Sequence, residues 1–132
     1  MDMKKMIEMV EATKVTDEEL SISTLHQKLV KLYSQKDSVE YTELLKCILS
    51  LSVQMDLHFV LKYFGVRPVV ASDERMQFQG IFKCLANKDE NGEWFLNFVS
   101  LYVGLIVVLH FDEKEIESSF FDDMAVGEGN AI

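Results

Sequence analysis

Proline occurs once in these 132 residues, cysteine twice and glycine six times. The glycines at 80, 92 and 104 are isolated, so no glycine-rich loop is present to cradle a phosphate. Cys47 and Cys84 sit among apolar residues on predicted helices and read as reduced core thiols of a cytosolic protein rather than a disulfide framework. Basic residues are also short, 13 Lys and Arg against 22 Asp and Glu, a net charge of −9. That balance argues against nucleic-acid binding, which needs a basic face. His26, His58 and His110 are scattered, with no helix-spaced His/Glu set for a metal. Asp56 and His58 diverge on a helix and make poor acid–base partners. No cofactor, metal or catalytic constellation is therefore expected, and binding is the activity left.

Apolar residues, in contrast, make up 48% of the chain, enough for one domain with a sizeable core. The longest uncharged run is 94–111, WFLNFVSLYVGLIVVLHF. Eighteen residues just reach the length of a membrane span, but no Lys or Arg cluster flanks either end. Inside it, Glu93, Asn97, Ser100 and Gly104 fall at spacings of four, three and four, one stripe on an α-helix. In a strand, Asn97 and Ser100 would face opposite sides. The run reads as a central helix, apolar nearly all round and surrounded by other helices.

The rest of the chain reads as those helices. Residues 1–15 are either a mobile extension or an extra helix, with Met6, Met9 and Val10 on one side. Their charged, amphipathic character is not that of a signal peptide, and the polar ending AVGEGNAI, a flexible tail over 125–132, is no membrane anchor. Thr16-x-x-Glu19 is a capping-box pattern, followed by an apolar face from Leu20 to Leu32. Asp37-x-x-Glu40 opens a segment reaching Phe64 that contains a bend or two helices, closed by Gly65 and Pro68. Ser72 is the N-cap candidate for a helix with Phe78, Ile81, Phe82 and Leu85 at i, i+3, i+4 and i+7. Asp112-x-x-Glu115 starts the last helix, with Ile116, Phe120 and Met124 inward. The expected fold is all-α, a single-domain helical bundle over 1–132 around a central hydrophobic helix.

One ordered set of residues resembles a known family. Phe78-x-x-Ile81-Phe82-x-x-Leu85, a loop with Asp89 and Asn91-Gly92, then Trp94 and Gly104 ten residues on, resembles the first homology region of the B-cell-lymphoma-two (Bcl-two) family. Leu25-His26-Gln27-Lys28-Leu29 is similar to its N-terminal homology helix, and Leu51-x-x-x-Met55-Asp56 to a worn third homology motif. The matches touch about 20–112 in the family's order. The departures are equally specific. Leu96 stands where the family has an arginine, two extra residues lengthen the loop before Trp94, and no second homology region or anchor follows. Such a compact, anchorless version looks like a viral homologue.

The resemblance implies an inhibitor of apoptosis in the host cytoplasm, reaching mitochondria through its partners. It would hold the amphipathic third-homology helix of pro-apoptotic relatives in a hydrophobic groove. Carried over by position, Ile81 and Leu85 form one wall, Phe98, Val99 and Val103 the floor, and Phe59 with Tyr63 the opposite wall. Without the arginine, the ligand's aspartate loses a charge-assisted bond of about 1.5–3 kcal/mol, with Arg75 and Lys88 the candidate substitutes. Few ligands and modest affinity are expected, and a charge at the floor, as in Val99→Glu, is expected to abolish binding. A homodimer is left open. Two other readings compete: a Bcl-two-fold viral protein that blocks innate-immune signalling by surface contacts, and an acidic inhibitor or chaperone of a basic partner.

Overall fold

A computed structural model describes residues 1–13, 22–89 and 91–130, without the side chains of 13 and 126–130. Seven α-helices and no strand are present among the described residues. They are α1 (Met3–Thr13), α2 (Ile22–Gln35), α3 (Ser38–Gln54), α4 (His58–Phe64), α5 (Glu74–Ala86), α6 (Glu93–Val108) and α7 (Glu113–Asn130). The chain is thus an all-α bundle. The capping pattern Thr16-x-x-Glu19, with Leu20, lies outside the described residues, as do the last two residues of the expected tail.

The helices form two compact units, Met1–Gly65 with Glu113–Ile132, and Val66–Asp112. In the first, α3 is the hub, packing against α1, α2, α4 and α7. Its buried side chains include Tyr41, Leu44, Leu45, Ile48 and Leu49, which cover more than one face and so meet several neighbours. Around it, α1 buries Met3, Met6, Ile7 and Val10, α2 buries Leu25, Leu29 and Leu32, and α7 buries Ile116, Phe120 and Met124. Ion pairs sit on this core's surface, Lys31 with Glu40 at 3.0 Å and Lys46 with Glu43 at 3.0 Å.

The long segment 37–64 resolves into two helices bent by 110°. Asp37 caps α3, its carboxylate accepting from the Val39 amide at 2.9 Å. Glu40, in the first turn of α3, pairs with Lys31 of α2. The break falls at residues 55–57, where Asp56 takes φ +60° and the Leu57 amide donates to Ser52 O at 2.9 Å. Asp56, which the resemblance sets in a third homology motif, is therefore a turn residue at a helix end.

The second unit is a helical hairpin, α5 against α6. Asp73, not Ser72, caps α5 by accepting from the Met76 amide at 2.8 Å, while the Ser72 hydroxyl donates to Met76 Sδ. The uncharged run does not stay helical to Phe111. It ends at Val108, and His110 turns at φ +60°. Trp94, Phe95, Phe98 and Tyr102 form a continuous aromatic row along α6, Phe98 stacked on Tyr102 at 6.2 Å between centroids. Among the described residues no single helix is long and apolar enough to cross a membrane.

Candidate helix-binding surfaces

The residues expected to line a groove divide by exposure. Ile81, Leu85, Phe98, Val99 and Val103 are all buried, so a ligand reaches none of them as the helices stand. Ile81 and Leu85 lie on α5, and Phe98, Val99 and Val103 on α6, the two helices of the hairpin.

Phe59 and Tyr63 lie on α4 in the first unit and are open to solvent. Two neighbours that the resemblance did not single out are open as well. The exposures are 49% for Phe59, 36% for Val60, 66% for Tyr63 and 87% for Phe64. At i, i+1, i+4 and i+5 these four occupy one arc of the helix, opposite the buried His58 and Leu61. A contiguous arc of large apolar side chains in water is what a protein–protein contact leaves open. The spacing was readable in the sequence. What it could not give was the facing, because His58 and Leu61 offered an equally plausible inner side.

A polar cluster fixes α4 on α1. The Lys62 ammonium donates to Glu11 Oε1 at 2.9 Å, and Glu11 Oε2 stands 3.9 Å from His58 Nε2. The hydrogen bond to Glu11 raises the Lys62 pKa above its ordinary value, partly opposed by desolvation. Lys62 also lies over the Tyr63 ring, 5.7 Å from its centroid, on one border of the exposed arc.

In the second unit, a shallow depression runs over Gly80 and Lys83 of α5 to Trp94 and Asn97 of α6. Gly80 packs on Leu101 Cδ1, 3.5 Å from where a Cβ would stand. Cys84 lines the same depression, its thiol pKa pushed up by burial. Of the candidates to replace the missing arginine, Lys88 donates to Leu85 O at 3.0 Å, satisfying an end carbonyl of α5, and Arg75 is exposed. Among the described residues no group of three His, Cys, Asp or Glu could hold a metal ion.

The sequence reasoning missed Gln77. It is fully buried, its Nε2 donating to Val69 O and Leu101 O, both at 2.7 Å, and its Oε1 accepting from the Ala71 amide at 2.6 Å. Its signal was a polar residue beside Phe78 on the buried side of α5.

No protein-family model, curated protein or solved structure matches this chain.

Proposed function

We propose that this protein is a non-catalytic inhibitor of apoptosis of Bcl-two type, viral in origin, that captures the amphipathic third-homology helix of pro-apoptotic relatives. The observation that carries the reading is the exposed arc Phe59, Val60, Tyr63 and Phe64 on α4. An amphipathic helix presents a complementary apolar stripe, and each ligand side chain buried against such an arc contributes roughly 1.5–3 kcal/mol before association costs. The all-helical fold and α6, apolar after Glu93 and with its Gly92-x-Trp94 start, agree with the resemblance drawn from the sequence. Leu96 offers no charge to a ligand aspartate, so affinity is modest and few ligands bind. Such a protein acts in the host cytoplasm and meets mitochondria through its partners.

The test is amide chemical-shift mapping with a panel of third-homology peptides. The reading expects shifts over residues 58–64 and binding weakened at least roughly tenfold, about 1.4 kcal/mol, by Tyr63→Glu. A panel that leaves those amides unmoved sinks it.

A second reading also has an observation in its favour. Burial of Ile81, Leu85, Phe98, Val99 and Val103 suits a Bcl-two-fold protein that blocks innate-immune signalling through surface contacts and has no working groove. It expects no peptide of the panel to bind.

A further inference from the structure

The chain carries 22 acidic residues, yet none falls between Leu57 and Ser72, LHFVLKYFGVRPVVAS. Helix α4 lies within this run, so the arc Phe59, Val60, Tyr63 and Phe64 stands on a helix without an acidic side chain. Its one lysine, Lys62, is answered inside the molecule by Glu11 at 2.9 Å, and His58 is turned inward. The arc therefore offers solvent a large apolar area and brings no unpaired charge of its own.

Three of the four side chains are aromatic, and Phe64, 87% exposed, is the most exposed large apolar side chain among the described residues. Exposed apolar patches mark membrane sites as well as protein contacts, and aromatic rings concentrate where a bilayer meets water. Tyr63 adds a hydroxyl that keeps its contact with water while the ring is buried. Lys62, over the Tyr63 ring on the border of the arc, has the aliphatic stem that lets a cation stay at headgroup level. The lack of acids favours lipid too, because a carboxylate pressed into that layer loses hydration. Seven residues cannot span a bilayer, so such a helix lies on it.

We propose that α4 is a peripheral membrane-contact face: Phe59, Val60, Tyr63 and Phe64 enter the interfacial layer of a zwitterionic bilayer while the rest of the chain stays in water. The inference goes beyond the helix-binding reading and needs no peptide to bind. It uses the same arc, so a bound peptide and a bilayer exclude one another. Apolar burial drives the contact rather than charge, since a net charge of −9 makes an anionic surface the poorer host.

Co-sedimentation of the full chain with phosphatidylcholine vesicles tests this. The unaltered protein should partition measurably, and Phe64→Glu should lower the partition coefficient roughly tenfold, as expected when one buried aromatic ring is replaced by a charge. Val39→Glu, which alters an exposed valine of α3, should leave it unchanged. Adding phosphatidylserine should weaken binding at low salt, and added salt should restore it. Failure to partition, an equal loss in the two variants, no loss in Phe64→Glu, or binding that needs phosphatidylserine and vanishes in salt overturns the membrane face. Peptide binding by the same protein would then leave the helix-binding reading standing. Partition that depends on Phe64, with no peptide bound, upholds the membrane face and sinks the helix-binding reading. Saturating third-homology peptide should release the protein from the vesicles; peptide bound without release upholds the membrane face and takes the peptide off the arc.

Discussion

The carbonyl oxygen of Val69 occupies the space that a side chain at position 104 would fill. Glycine there is a requirement of close approach between backbone and helix, not of a special φ, since residue 104 is an ordinary part of α6. Gln77 completes the contact from α5 with three hydrogen bonds.

That arrangement makes Gln77 the most sensitive polar residue of the hairpin. Three lost bonds at a net 0.5–1.5 kcal/mol each give Gln77→Ala a cost of about 1.5–4.5 kcal/mol in urea unfolding. Gln77→Glu should cost more, because it sets a carboxylate oxygen against the carbonyls of Val69 and Leu101. A glutamate variant as stable as the parent at pH 7 would show this geometry to be wrong.

Phe59→Ser and Tyr63→Ser touch exposed side chains and should leave stability within about 0.5 kcal/mol. Both should still weaken a third-homology peptide severalfold in titration. A loss of stability above that range in thermal melts would mean that the arc is packed, not open.

Val99→Glu changes meaning once Val99 is seen to be fully buried. It no longer reports on the groove alone. An unpaired carboxylate there should cost at least about 3 kcal/mol, seen in far-ultraviolet circular dichroism during denaturation. A Val99→Glu protein as resistant to urea as the parent would contradict the packing of α6 described above.

The sequence made much of this architecture readable. The stripe of α5 gave Phe78, Ile81 and Leu85 as core, with only Phe82 left half-buried. The spacing of Glu93, Asn97, Ser100 and Gly104 decided helix over strand for the apolar run, and α6 forms there. That stripe begins in solvent at Glu93 and Asn97 and ends beneath the Val69 carbonyl at Gly104. The turns were harder, because Asp56 and His110 enter the left-handed region without being glycine, and Lys36 does too. No local signal marked the break at 55–57 for that reason. The approach of residues 69–71 to α6 was unreadable for a different one: their partners, Gln77, Ser100 and Gly104, are 6 to 35 residues away in sequence, and backbone hydrogen bonds leave no periodic trace.

The tie between α1 and α4 predicts a pH dependence. The Lys62 pKa is raised chiefly by its hydrogen bond to Glu11, so the charged form is favoured in the folded protein. The stabilisation is then complete below the ordinary lysine pKa of about 10.4 and fades as pH climbs through the raised value. Glu11→Gln should lower the Tm relative to the parent at neutral pH, with the gap closing in strongly alkaline solution. A gap that widened with alkalinity would reverse the sign and refute the assignment.

The central claim is that this protein holds an amphipathic helix. Isothermal titration of the unaltered protein with a panel of third-homology peptides tests it most directly. The account predicts saturable one-to-one binding by a minority of the panel, with a negative heat-capacity change from apolar burial. Absence of heat from every peptide at roughly 100 μM, a Kd weaker than about −5.5 kcal/mol of affinity, would contradict it.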